Sequence, residues 1–162
     1  MRARRGAAQP TADMANTFTQ LLYHIVFSTK ERRPLIPPER KDELCRYVWG
    51  INKKLDCHLY RINAVEDHAH IVTHIHPTVA LANYIKKVKN AATAWIRRGN
   101  VFPRWRGWQD GYAAFTHSIG EKERLIEYVK NQQEHHKTES FVDELKRLLA
   151  EAKIEFNERY LL

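Results

Sequence analysis

The run His68-Ala69-His70-Ile71-Val72-Thr73-His74-Ile75-His76 fits a β-strand better than any other element. Side chains in a strand alternate between two faces. One face therefore carries Ala69, Ile71, Thr73 and Ile75, an acceptable core pattern. The other carries His68, His70, Val72, His74 and His76. Four histidines on one face cannot all be core residues, so that face is expected to border solvent or a site. His68 and His70, two positions apart, sit about 6–7 Å from one another at Cα and can reach one divalent ion. His74 and His76, near the strand end, are read as bystanders.

The rest of the chain arranges itself around that strand. Residues 17–28 are β-branched, aromatic and apolar and predict a buried strand. Pro37-Pro38 opens a helix, since proline is tolerated at the first helical position. Its apolar stripe is Leu44, Tyr47, Val48, Ile51 and Leu55. A strand over 58–65, the turn Glu66-Asp67 and the histidine strand to Ile75 read as a hairpin. A helix over 78–98 buries Leu81, Ile85, Val88, Ala92, Trp95 and Ile96. Gly99, Pro103 and Gly107 mark a loop, 112–119 a further strand, and Gly120 a break before the next helix. A last amphipathic helix begins near Ser140, where Ser140 and Asp143 resemble a capping box. Its stripe is Phe141, Leu145, Leu148, Leu149, Ala152 and Phe156. The order β-α-β-β-α-β followed by helices predicts an α+β fold, a ferredoxin-like or RRM-like antiparallel sheet with helices on one face and further C-terminal helices.

At 162 residues the chain is long enough for one domain with a proper core. We expect a disordered leader over 1–15, with Met14 as an alternative start. The main domain is expected over 16–137, and a C-terminal amphipathic helix of the same domain over 138–162. With 27 Lys+Arg against 19 Asp+Glu, the formal charge is +8, which favours a polyanionic partner. Nothing approaches the roughly 20 apolar residues of a membrane span. Cys45 and Cys57 form no CxxC pair and no disulfide framework; two isolated core cysteines fit a reducing cytoplasm.

Two groups of residues bear chemistry. Tyr128 and Gln132 are four apart, so on one helix they project together. Two histidines on a strand with this pair suggest a metal-assisted tyrosine nucleophile. Tyrosine needs such help, because a pKa of about 10 leaves it protonated at neutral pH. A divalent ion on a phosphate supplies it by polarising the electrophile, with Gln132 a candidate third ligand beside His68 and His70. The second group is basic. Lys86, Lys87, Asn90 and Arg97 lie on the polar side of the second helix, and Arg104 and Arg106 flank Trp105 in the loop. Cations interleaved with aromatics suit a phosphate backbone and unstacked bases. A solvated helix face with loop-anchoring tryptophans is the plainer alternative.

Taken in order, these residues resemble a known family, the single-tyrosine HUH transposases of the insertion-sequence 200/605 group, in which U is a hydrophobic residue. The matching stretches are Tyr23-His24-Ile25-Val26-Phe27-Ser28-Thr29-Lys30 with Arg32-Arg33-Pro34-Leu35, then Glu66-Asp67-His68-Ala69-His70. Trp108-Gln109-Asp110-Gly111-Tyr112 and Tyr128-Val129-Lys130-Asn131-Gln132 follow. The resemblance spans about residues 16–136. Three departures stand out: Ala69 where a larger aliphatic is usual, the segment before Met14, and a longer C-terminal helix.

The resemblance implies an enzyme that cuts and rejoins single-stranded DNA at hairpins near element ends. Tyr128 would form a 5′-phosphotyrosine, and His68, His70 and Gln132 would hold Mg²⁺ or Mn²⁺. It also implies a homodimer whose sites take the histidines from one subunit and the tyrosine helix from the other, with Gly120 as a hinge. The alternatives are a relative acting on repeated palindromes, a catalytically silent RRM-like binding module, and a metal-dependent nuclease leaving hydrolysed ends.

Overall fold

The computed structural model describes residues 18–161. The expected leader, Met14 and the start of the first strand at Thr17 lie outside the described residues. Strand β1 is Leu22–Ser28, helix α1 Lys41–Lys54, β2 His58–Ala64 and β3 His68–His74. Helix α2 is Leu81–Arg98, β4 Ala113–His117 and α3 Lys122–Lys130, followed by the short α4 (Gln132–His135) and by α5 (Phe141–Glu151). The four strands form one antiparallel sheet in the order β2-β3-β1-β4. This is the α+β arrangement expected from the element order.

Register fixes what each face carries, because residues paired across an antiparallel ladder share a face. Ser28 pairs with His68, Val26 with His70 and His24 with Val72. His70 also pairs with Asn63 of β2, and His24 with Phe115 of β4. The opposite face carries Ile25, Phe27, Ala69 and Ile71, buried against α1 and α2 through Leu44, Val48, Ile51, Tyr84, Ile85, Val88 and Ala92. Thr73, on that core face, is not left unsatisfied. Its hydroxyl donates to the His58 carbonyl at 2.9 Å, and Asn52 Oδ1 accepts from Tyr84 Oη at 2.9 Å beside it.

The histidine face is covered as well. Helix α3 packs Leu125 and Val129 on Leu22 and Val72. Helix α5 packs Phe141, Leu145 and Leu149 on Val26, Ala113 and Phe115. The sheet is thus sandwiched, with α1 and α2 on one side and the C-terminal helices on the other. Ser140 caps α5 by accepting from Asp143 N at 3.2 Å while its hydroxyl donates to Asp143 Oδ2 at 2.7 Å.

Several boundaries differ from the sequence expectation. The first strand begins at Leu22, and residues 18–20 are exposed without regular structure. Pro38–Arg40 forms a 3-10 turn before α1, closed by Arg40 N donating to the Pro37 carbonyl at 3.0 Å. Helix α2 starts at Leu81 rather than at 78. The last helix is shorter than its stripe. It ends at Glu151, Lys153 turns left-handed (φ 56°), and Phe156 is 40% exposed. The continuous helix expected to carry Tyr128 and Gln132 is instead divided at Asn131 (φ −93°, ψ 18°).

This division of the last stripe is open to measurement. Leu145→Ala should destabilise by about 2–5 kcal/mol, as expected for a buried leucine. Phe156→Ala should stay within about 0.5 kcal/mol, as for an exposed position. Urea midpoints of the two variants check this; equal losses would return Phe156 to the core.

Candidate active site

Five elements converge on one buried carboxylate. His68 and His70 come from β3, His24 from β1, Tyr128 from α3, Gln132 from α4, and Glu144 from α5, with His136 just after α4. His24, His68, His70, Gln132 and Glu144 are all at most 1% exposed. Each β3 histidine has its Nδ1 engaged. His68 Nδ1 lies 2.6 Å from Asp67 Oδ1, and His70 Nδ1 lies 2.9 Å from His24 Nε2. Their Nε2 atoms are buried without a hydrogen-bond partner. Both face Glu144 Oε2, at 3.4 Å from His68 and 3.3 Å from His70.

The other side of Glu144 belongs to the tyrosine. Tyr128 donates its hydroxyl hydrogen to Glu144 Oε1, and Gln132 Nε2 donates to the same oxygen at 2.9 Å. His136 Nε2 lies 2.9 Å from Glu144 Oε2 and 2.8 Å from Gln132 Oε1, with its Nδ1 2.8 Å from the Glu139 carbonyl. Arg147 Nη2 donates to Tyr128 Oη at 3.1 Å and to Glu139 Oε2 at 3.1 Å. Two further bonds brace the site from below. Asn63 Nδ2 donates to the Val129 carbonyl at 3.0 Å, tying α3 to β2. Thr29 N donates to the Asp67 carbonyl at 2.8 Å, fixing the turn that holds His68.

Burial works against the charge on Glu144, yet His136, His68 and His70 outweigh it and hold the carboxyl well below the usual range. Burial drives His70 down to about 4, only partly offset by Glu144. Burial also lowers His24, reinforced by His70. His68 goes the other way: burial would lower it, but Asp67 and then Glu144 raise it. Tyr128 is raised by burial and then by the neighbouring Glu144 carboxylate, against the pull of Arg147. With the tyrosine held up and the carboxyl held down, the proton stays on Tyr128.

Tyr128 is reached from outside through a cleft of about 340 Å³ lined by His24, His117, Arg124, Tyr128, Arg147 and Leu148 among others. One ligand atom from each of His68, His70, His136 and Glu144 lies within 4.8 Å of the others. Buried imidazole nitrogens with free lone pairs beside a carboxylate fit a divalent ion, and engaged Nδ1 atoms are how ligating histidines are normally oriented.

Comparison with known proteins decides the family. The family model described as "Transposase IS200 like" matches residues 17–132, well over half of the chain. The chain belongs to the IS200-like transposase family. It is therefore a transposase, a DNA-cleaving and strand-transferring enzyme. Across 120 residues it is 23% identical to the ISDra2 transposase TnpA of Deinococcus radiodurans, covering 70% of this chain and 84% of that protein. Among solved structures it resembles a putative transposase from Deinococcus radiodurans, with TM-score 0.57 and 21% identity over 74% of this chain and 97% of that one. It also resembles a REP-associated tyrosine transposase bound to a REP hairpin, with TM-score 0.54 and 10% identity over 78% and 74%.

The remaining expected residues of the transposase lie apart from this site. Lys86, Asn90 and Arg97 line a groove of about 540 Å³ between α2 and the 108–112 loop, together with Lys89, Trp108 and Tyr112. Lys87 is exposed but does not line it. Arg104 and Arg106 line a second depression with Arg33 and Trp105. His74 and His76 stay outside the cluster: His74 Nδ1 accepts from Leu21 N at 3.2 Å, and His76 Nδ1 meets Thr78 Oγ1 at 2.7 Å. Among the described residues, no helix is long and apolar enough to cross a membrane, and Cys45 and Cys57 are free.

Sequence reasoning did not single out His24, Asp67, His136, Glu144 or Arg147 as members of the site. Two of them left a signal. Glu144 is a charge inside the apolar stripe of α5, three residues from Phe141. His136 is four residues after Gln132.

The pH dependence follows from the histidines. An unfolded chain protonates His24 and His70 near 6.5, whereas folded His70 resists until about 4. The unfolded state thus binds more protons between those values, and stability falls as pH drops through that window. His68, raised in the fold, opposes this but is outnumbered. Urea midpoints at pH 7, 6 and 5 should decline; a midpoint that rises with acid would contradict the burial of two neutral rings.

Proposed function

We propose that this transposase cuts and rejoins single-stranded DNA at element ends through a 5′-phosphotyrosine on Tyr128. The observation that carries the reading is Glu144. One of its oxygens accepts the Tyr128 hydroxyl, and the other faces the unpartnered Nε2 atoms of His68 and His70. The nucleophile and the ion-holding nitrogens therefore share one carboxylate.

In this reading the Tyr128 oxygen attacks the scissile phosphorus as its proton passes to Glu144 Oε1, which already accepts it, and the bond to O3′ breaks as O3′ takes up a proton. The products are a 5′-phosphotyrosine and a free 3′-hydroxyl. A second 3′-hydroxyl reverses the step on a new strand, so no water is consumed. A divalent ion, Mg²⁺ or Mn²⁺, held by His68, His70 and Gln132, would neutralise charge developing on the phosphate oxygens. Arg147 donates to the Tyr128 oxygen and is placed to stabilise it as it gains and later releases charge. Arg124 and Arg147 line the entrance cleft opposite Glu121 and Glu151, with which they pair.

The DNA partner is proposed as a single-stranded hairpin, supported by the hairpin-bound REP-associated relative of like fold. Lys86, Lys87, Asn90, Arg97, Arg104 and Arg106 would contact its backbone. The functional unit is proposed over residues 16–137 with the 138–162 segment in the same domain, acting in the cytoplasm. A second copy would form a homodimer. In place of the sites expected to be shared between subunits, the contact of Tyr128 with His68 and His70 of its own chain through Glu144 supports a site complete within one chain.

Three measurements bear on this. Labelled hairpin DNA from element ends, incubated with protein and Mn²⁺, should give a denaturant-resistant protein–DNA band. Tyr128→Phe should abolish the band with DNA affinity changed less than about threefold; an undiminished band would place the nucleophile elsewhere. Mixing Tyr128→Phe with His68→Ala should not restore the band, whereas recovery would show tyrosine helices exchanged between subunits. Lys86→Ala and Arg97→Ala should each flatten the logarithmic salt dependence of binding by about 0.7–0.9 per lost phosphate contact. An unchanged slope would return the groove to plain solvated surface.

A further inference from the structure

We propose that the ion site of this transposase is completed from beyond the family-matched span, by His136 and by Glu144 of α5. The donors around the ion then include three imidazoles and one carboxylate, beside the Gln132 amide oxygen. The inference rests on the reading of His68 and His70 as ion-holding residues. It goes further, because the family match ends at residue 132.

The distances carry the argument. An ion about 2.1 Å from each of its donors, with angles between about 90° and 110°, sets neighbouring donors about 3.0–3.4 Å apart. Glu144 Oε2 is 3.4 Å from His68 Nε2, 3.3 Å from His70 Nε2 and 2.9 Å from His136 Nε2. The first two are too long for good hydrogen bonds and leave both nitrogens unpartnered, yet they match the edge of a coordination polyhedron. All three histidines present Nε2 inward with Nδ1 tied outward, to Asp67, to His24 and to the Glu139 carbonyl. That orientation is typical of ligating histidines.

Gln132 lies among these donors. Its oxygen, the only atom with which it can ligate, is 2.8 Å from His136 Nε2, and its nitrogen donates to Glu144 Oε1. It bridges the two groups and fixes their relative placement. Glu144 itself sits in the apolar face of α5 between Phe141 and Leu145 and is fully buried. A carboxylate in that position is expensive unless compensated by a cation or by several donors.

The donor set also selects the metal. Mg²⁺ prefers oxygen ligands and retained water, whereas imidazole nitrogen favours Mn²⁺ and the later divalent ions. A donor set with three nitrogens therefore selects Mn²⁺ over Mg²⁺.

The test uses Mn²⁺ alone with the full chain, without DNA, so it is read separately from the tyrosine adduct. Absence of the adduct would sink the transesterification reading and leave this result standing. Titration followed by electron paramagnetic resonance should show one Mn²⁺ per chain, not displaced by a tenfold excess of Mg²⁺. Glu144→Gln and His136→Gln should each weaken binding at least tenfold. Pulsed measurements on the wild type should show three coordinated imidazole nitrogens, which decides the matter even where a variant fails to fold. Wild-type affinity in Glu144→Gln, two nitrogens instead of three, ready displacement by Mg²⁺, or no Mn²⁺ binding would each overturn the proposal.

Discussion

The buried Glu144 carboxylate is the interaction on which the rest of this half of the molecule depends. It takes hydrogen bonds from Tyr128, Gln132 and His136 and stands against His68 and His70. Those contacts are also what fasten α5 and the residues after α4 to the sheet. Hydrophobic packing of Phe141, Leu145 and Leu149 on β1 and β4 adds to this without direction. The carboxylate supplies the direction, since only one placement of α5 brings it to all its donors. The group that closes the fold is thus the group that connects Tyr128 to the imidazole nitrogens of His68 and His70.

The two faces of the sheet divide the labour. One is filled with aliphatic side chains against α1 and α2, and its few polar groups, Thr73 and Asn52, satisfy each other and neighbouring backbone. That face is a stiff platform. The other holds a polar cluster at β3 and β1, ringed by separate apolar patches under α3 and α5. Because the side-chain period of a strand is two, a slip of one residue in β3 would send both site histidines into the aliphatic core. The same register that builds the core thus aims the imidazoles.

Much of this was legible in the chain. Alternation in the histidine strand told which face would be core, and helical periodicity located α1 and α2 to within a few residues. The family could be recognised from ordered short stretches, none specific by itself. What escaped were the residues whose importance comes from tertiary approach. Glu144 lies in an apolar stripe whose docking partner is not written locally, and His24 looks like an ordinary interruption of a buried strand until register sets it on His70. The end of α5 was overestimated for a related reason. Ala152 and Phe156 keep the helical spacing, but both are exposed, and the chain turns at Lys153.

The wide spread of the site along the chain has a consequence for when activity can begin. Its parts run from His24 in the first strand to Glu144 in the last helix. Chains are made from the N-terminus, and pairings between distant segments must wait for both partners. A nascent chain that has released only β1 to β4 still lacks both Tyr128 and the Glu144 carboxylate that accepts its hydroxyl. DNA-cutting competence would thus arrive late in synthesis, after the scaffold that must control it is already in place.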